Sequence, residues 1–299
     1  MEWAEIIDRL KSEDIAYAEN ESVAARSTFK VGGKVRLCAF PDSLQKLKCV
    51  LELLRESGMR YEIIGNASNM LFAFEYFDGI FVFCGGVSDI KVEGERIYAL
   101  CGASLIQLSR VAADNSLTGM EFAYGIPGLV GGSVYMNAGA YGSQMSAVLE
   151  YSDAFDMSSG EIIRIYDHGF DYRDSIYMRN SKLVCLDASF ALGRGAEGEI
   201  RALMAQNMSS RRENQPIEFP SAGSYFKRPK GSFAGKLIED CGLKGMRVGG
   251  AEVSCKHAGF IINRGGASAK DILTLEEKIK EIVMSRFGIL LEREVELIK

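Results

Sequence analysis

Three stretches of this chain carry residue types whose spacing suits chemistry. The first is Gly65-Asn66-Ala67-Ser68-Asn69. Small residues let backbone N–H groups converge on an anion, and Ser and Asn side chains add donors. The same composition also makes an ordinary turn. The second runs from Tyr124 to Gly142 and holds six glycines among nineteen residues, interleaved with Ile, Val and Met. A flexible linker would be polar. Glycines set among apolar residues instead let a backbone approach a large flat ligand or its pyrophosphate, or pack tightly as a structural turn. No Gly-Lys-Ser/Thr follows, and the Gly-x-Gly-x-x-Gly pattern is missing, so neither common nucleotide loop accounts for it. The third is Ser221-Ala-Gly-Ser-Tyr-Phe-Lys-Arg-Pro229, where Lys227 and Arg228 stand beside a Gly-Ser turn. Two adjacent cations suit a diphosphate or carboxylate, or simply a solvated basic turn. Ser224 can act as a proton donor only in a context that supports it.

Two single positions extend the set. Arg173 lies in Phe170-Asp-Tyr-Arg-Asp-Ser-Ile-Tyr177. If buried among those aromatics it must face an anion, either a ligand or Asp171 or Asp174. Glu294, in Leu291-Glu-Arg-Glu-Val295, is a carboxylate near the chain end that fits a solvated strand face equally well. The only histidines are His168, placed at the surface in a polar turn, and His257, a structural histidine ahead of an apolar strand. Two histidines give little basis for a metal centre or a Ser-His-Asp triad, and no metal is expected.

Composition bounds the rest. Of the 299 residues 47% are hydrophobic and 25% charged, the balance of a globular protein with a sizeable core. A net charge of −5 offers no general field for nucleic acid or an anionic membrane, so an anionic substrate needs local cations. The first ten residues are acidic and amphipathic, unlike a signal peptide. No run approaches the ~18 apolar residues of a membrane span. Seven cysteines without a Cys-x-x-Cys read as free thiols of a reducing cytoplasm.

Elements must position these groups. Helical spacing appears over 2–11, 43–57 (capped by Asp42 or Ser43, stopped by Gly58), 104–115, 197–213, 233–241 and 270–286. Strand patterns appear over 61–64, 79–84, 87–92, 96–101, 148–156, 161–167, 183–192, 251–253, 259–262 and 294–298. Segregated blocks of helix and strand predict an α+β fold.

Taken in order, eleven motifs resemble one family: Thr28-Phe-Lys-Val-Gly-Gly33, Gly65-Asn-Ala-Ser-Asn-Met-Leu71, Ile126-Pro-Gly-Leu-Val-Gly-Gly132, Met136-Asn-Ala-Gly-Ala-Tyr-Gly142, Tyr172-Arg-Asp-Ser175, Gly223-Ser-Tyr-Phe-Lys-Arg-Pro229, Ala234-Gly-Lys-Leu-Ile238, Gly242-Leu-Lys-Gly245, Ser254-Cys-Lys-His257, Phe260-Ile-Ile-Asn263 and Leu291-Glu-Arg-Glu-Val295. Each is weak alone; their joint order over residues 25–298 is similar to the UDP-N-acetylenolpyruvoylglucosamine reductases. The resemblance implies a two-part FAD-binding fold of the vanillyl-alcohol oxidase-like (PCMH) type, at 1–86 and 87–200, with an α+β substrate-binding domain at 201–299.

It also implies FAD contacts at Gly65, Asn66, Ala67, Ser68, Asn69, Gly125, Ile126, Pro127, Gly131, Gly132, Asn137, Gly139 and Ala140, and catalytic roles for Arg173, Ser224 and Glu294. The substrates implied are NADPH and UDP-N-acetylglucosamine enolpyruvate, in a cytoplasmic monomer of peptidoglycan synthesis. Lys227 and Arg228 are candidates for the substrate phosphates or carboxylate. The short segment between Arg173 and Ser224 resembles the subclass that lacks an extra substrate-covering loop. Asn66 departs from the glycine that the family more often carries in the first loop. Two other readings stay open. An FAD oxidase of the same fold would consume oxygen and need no NADPH. A non-catalytic nucleotide-binding protein would explain the glycine loops but not Arg173, Ser224 and Glu294 together.

Overall fold

Helices start and stop where the sequence supplies caps. The structure, a computed structural model, describes residues 1–299. Its helices are α1 (Trp3–Ser12), α2 (Leu44–Ser57), α3 (Leu105–Asp114), α4 (Val130–Tyr135), α5 (Ile176–Arg179), α6 (Glu197–Asn214), α7 (Ala234–Asp240) and α8 (Ala269–Phe287). Of the two caps offered by the sequence for α2, Ser43 is used: its Oγ accepts the Lys46 N–H. Gly58, at φ +63°, ends the helix in the left-handed region that costs glycine least. Ser268 and Asp271 form a reciprocal capping box on α8. The apolar stripe of that helix, Ile272, Leu275, Ile279 and Val283, is fully buried, each side chain contributing about 1.5–3 kcal/mol.

Contacts sort the chain into two units. The first gathers Met1–Asn20, Arg36–Asn66 and Asp78–Ser209. Its largest sheet has five antiparallel strands in the order Ile162–Ile165, Leu149–Asp156, Leu183–Ala191, Arg96–Leu100, Ile90–Glu93. Irregularities at Leu149/Tyr151 and Asp153/Ala154 bend its second strand. α3 and α4 pack beside it through Leu105, Leu108, Val130 and Val134. A second sheet runs Ala16–Ser22, Lys34–Phe40, Tyr76–Phe83, Tyr61–Ile64, the last pair parallel. Leu37, Leu47, Leu51, Val82 and Leu186 form a separate core cluster with it.

The second unit gathers Glu21–Val35, Ala67–Phe77 and Ser210–Lys299. A three-stranded antiparallel sheet (Arg247–Val248, Ala251–Val253, Ile261–Asn263) lies in one core with α7 and α8. The terminal strand Glu296–Ile298 pairs in parallel with Met70–Phe72, which carries the end of the first glycine loop into this unit. All seven cysteines are free, and no helix is long and apolar enough to cross a membrane.

Candidate active site

The first loop is held by its own side chains. Asn66 Nδ2 donates to the Pro127 carbonyl at 2.7 Å, which ties this loop to the second one. Ala67 adopts φ +46°, a conformation non-glycine residues rarely take. Asn69 reaches the chain end: its Nδ2 donates to the Glu294 carbonyl at 3.1 Å, and its carbonyl accepts the Glu296 N–H at 2.9 Å.

The second loop is rigid rather than floppy, because two of its glycines sit where a side chain would collide. A Cβ on Gly131 would lie 2.9 Å from Cys101 Cβ, and one on Gly139 would lie 2.5 Å from the Ser143 carbonyl oxygen. Gly132 differs. It is exposed, and nothing lies within 4 Å of the place its Cβ would take. Bare backbone is thus presented on a fixed frame, which fits the close approach of an extended dinucleotide.

Asn137 plays a different part from its neighbours. It is fully buried at φ +44°, its Nδ2 donates to the Asp171 carbonyl at 3.0 Å, and its Oδ1 accepts the Ser146 N–H at 3.0 Å. Both ends of its amide are therefore committed, one to the turn that carries Arg173 and the other to the Met145–Ala147 turn. Asp171 and Asp174 close that turn by exchanging backbone hydrogen bonds, with Arg173 at φ +53°. The guanidinium is half-buried and donates to the carbonyls of Asn137 (3.1 Å) and Gly139 (2.9 Å). Asp174, one of the two carboxylates considered for Arg173, bonds Arg179.

Beneath the same turn the structure corrects a reading of the sequence. His168 is buried, not at the surface, with only 3% of it exposed. Its ring stacks on Phe170 at 4.9 Å, and its Nε2 lies 2.7 Å from Ser152 Oγ, itself 2.7 Å from the Tyr177 hydroxyl. Polar neighbours in sequence concealed a position that long-range packing closes. Burial lowers the His168 pKa and so favours the neutral ring. His257 behaves as a structural histidine: its Nδ1 accepts the Gly259 N–H at 3.1 Å.

In the second unit, two candidate residues lie on paired segments. The Tyr225 carbonyl accepts the Glu294 N–H at 2.9 Å, Phe226 bridges Arg293, and Lys227 N–H donates to the Glu292 carbonyl at 2.8 Å. Ser224 is exposed, Glu294 half-buried. Lys227 is half-buried, and Arg228 is exposed with its guanidinium 4.5 Å from the Phe233 ring. Burial raises the Glu296 carboxyl pKa, opposed by the charges of Lys227 and Arg293.

Below this pairing is a group the sequence reading passed over. Glu276, on α8, is fully buried and accepts from the Tyr225 hydroxyl and from Arg293 Nε, both at 2.8 Å. Lys280 Nζ is 2.5 Å from its other oxygen. Burial pushes the Glu276 carboxyl up, but hydrogen bonds from Arg293, Lys280 and Tyr225 outweigh it and hold the carboxyl below its usual value. The available signal was a charge at a position sharing the apolar stripe of Ile272, Leu275, Ile279 and Val283.

Known proteins match the chain over nearly its whole length. A family model for an FAD binding domain matches residues 35–166, and one for the C-terminal domain of UDP-N-acetylenolpyruvoylglucosamine reductase matches residues 215–298. The chain is 43% identical over 296 residues to the UDP-N-acetylenolpyruvoylglucosamine reductase of Caldicellulosiruptor saccharolyticus, covering 97% of this chain and 94% of that one. The chain belongs to the UDP-N-acetylenolpyruvoylglucosamine reductase family. A second reductase of this family, from Clostridium novyi, is 45% identical over 274 residues, covering 91% of this chain and 89% of its own. The crystal structure of the Thermus caldophilus reductase superposes with a TM-score of 0.80 at 31% identity, covering 95% of this chain and 99% of that one. The protein is accordingly an FAD-dependent oxidoreductase of α+β fold, pairing an FAD-binding part with the C-terminal domain of these reductases.

Proposed function

We propose that the protein uses NADPH to reduce UDP-N-acetylglucosamine enolpyruvate to UDP-N-acetylmuramate, with Ser224 as proton donor and Arg173 and Glu294 as stabilisers of the charge that develops on the substrate. The observation that supports this reading is the backbone pairing of Tyr225–Lys227, the residues that follow Ser224, with Glu292–Glu294. FAD, when bound, supplies the hydride chemistry between the nicotinamide and the enolpyruvyl double bond.

The chain's own residues supply the rest. Hydride addition at the terminal carbon of the enolpyruvyl group pushes negative charge toward its carboxylate. A fixed guanidinium such as Arg173, held by two carbonyls on a rigid turn, stabilises that charge without reorganising. Glu294 does so as a neutral acid donating a hydrogen bond. Ser224 then delivers its proton to the adjacent carbon, and Lys227 and Arg228 hold the anionic ends of the sugar nucleotide. Asn137 serves the FAD side by holding the glycine-rich stretch in shape, since its side-chain amide, its N–H and its carbonyl are all engaged within the protein. The 1–86, 87–200 and 201–299 division, the monomeric state and the cytoplasmic location belong to the same reading. Its short subclass is supported by the Arg173–Ser224 interval, which is taken up by α5, the strands Leu183–Ala191 and Gly193–Arg194, and α6.

The test is an anaerobic nicotinamide-oxidation assay with and without the enolpyruvyl sugar nucleotide. NADPH consumption matched by that substrate is expected. No substrate-dependent NADPH consumption, with oxygen-dependent oxidation of an alcohol or sugar in a parallel aerobic assay lacking NADPH, would point to an oxidase instead.

A further inference from the structure

Glu276 is an expensive residue to bury. Removing a carboxylate from water costs several kcal/mol unless cations and hydrogen bonds compensate, and an apolar residue in such a place is often as stable or more so. The rest of its stripe is apolar and fully buried. Its partners explain what a carboxylate does here that a leucine would not. Tyr225 is the residue after Ser224, and Arg293 is the residue before Glu294. Both donate to the same Glu276 oxygen at 2.8 Å, while the Tyr225 carbonyl accepts the Glu294 N–H. Lys280, one turn further along α8, braces the other oxygen. Tyr225 is itself buried, and its own N–H donates to the Gly259 carbonyl at 2.8 Å.

We propose that Glu276 is a positioning residue for Ser224 and Glu294, clamping the side chains of Tyr225 and Arg293 to α8 so that the segments bearing the proton donor and the hydrogen-bonding acid keep a fixed spacing. The proposal rests on the roles given to Ser224 and Glu294 above. It deepens them by assigning the spacing to a group that touches neither substrate nor flavin. Misplacement by ~1 Å of a reacting group can lower a rate by roughly 10²-fold, so a clamp at this place acts on rate more than on binding.

The experiment uses purified holoenzyme. Wild type, Glu276→Gln, Tyr225→Phe, Ser224→Ala and the Ser224→Ala/Glu276→Gln double variant are compared in anaerobic half-reactions. Glu276→Gln is expected to slow flavin reoxidation by the enolpyruvyl sugar nucleotide by about 10- to 100-fold, with substrate KM and NADPH-driven flavin reduction within about twofold of wild type. In the Ser224→Ala background the same replacement is expected to cost less than about threefold, because residues acting as one unit are not additive. Hydrogen exchange gives a readout independent of turnover: the Glu294 amide is expected to lose about tenfold protection in Glu276→Gln.

Wild-type reoxidation by flavin-bound Glu276→Gln, or an equal loss in both Ser224 backgrounds, would overturn the clamp. If Glu276→Gln does not fold, Tyr225→Phe decides. It removes one hydroxyl, and unchanged reoxidation and Glu294 exchange would be equally fatal. Failure of the underlying reading looks different. Wild type would then not be reoxidised by this substrate, or Ser224→Ala would be unimpaired, and the clamp falls with it.

Discussion

A serine hydroxyl is a weak acid, so Ser224 depends on the segment that carries it and on the charge that the substrate develops. Ser224→Ala is expected to lower flavin reoxidation by the enolpyruvyl substrate by roughly 10²–10⁴-fold, leaving reduction by NADPH intact. Stopped-flow absorbance separates the halves, and equal loss in both would remove the acid role. Arg173→Ala is expected to cost about 10²–10³-fold in the same half-reaction with FAD still bound; unchanged turnover would take it out of the site. At this scale the sequence supplied residue types but not distances. Ser224 and Glu294 each fitted an inert surface role and Arg173 a salt bridge to Asp171 or Asp174, and only their order in the chain, through resemblance, singled them out. Glu276 went unnoticed because a carboxylate on a helix rich in Glu and Lys looks solvated until the neighbouring Tyr225 and Arg293 are found folded onto it.

Among the elements, helices with caps and apolar stripes were legible because their causes are local: α2 between Ser43 and Gly58, α8 between Ser268 and Gly288. The strands Ala16–Ser22 and Lys34–Phe40 were not. The first is polar and largely exposed, so pairing rather than pattern makes it a strand. α4 was concealed inside the glycine-rich stretch, where low helical propensity is overridden by packing of Val130 and Val134 into the core. That rigidity is testable. Gly131→Ala forces a Cβ to 2.9 Å from Cys101 Cβ and is expected to cost about 1–3 kcal/mol in urea unfolding and to weaken FAD retention, whereas Gly132→Ala, with open space there, should leave stability within ~1 kcal/mol. Equal stability of the two variants would contradict a packed loop.

For the molecule as a whole, pH reports on the buried groups. Burial lowers the pKa of both histidines, so the unfolded chain takes up protons first as pH drops below about 6.5, and stability is lost on the acid side. Asp187, pushed up to about 6 by burial and by Asp153, works the other way over part of that range. The expected result is a urea midpoint that falls from pH 7.5 to pH 5.5 in wild type and falls less in His168→Gln; an unchanged slope would mean that the buried His168–Ser152–Tyr177 chain is not what titrates. The composition made a large globular chain evident, but not how distant segments share a unit. Residues 21–35 and 67–77 join the C-terminal region through pairings such as Glu296 with Met70, which local pattern cannot encode. The central claim is that one protein couples NADPH oxidation to reduction of an enolpyruvyl sugar nucleotide. Its most direct test is anaerobic mixing of the reduced, yellow-to-colourless holoenzyme with UDP-N-acetylglucosamine enolpyruvate. The account predicts return of the oxidised flavin absorbance, with one UDP-N-acetylmuramate formed per flavin; a flavin that stays reduced until oxygen is admitted would contradict it.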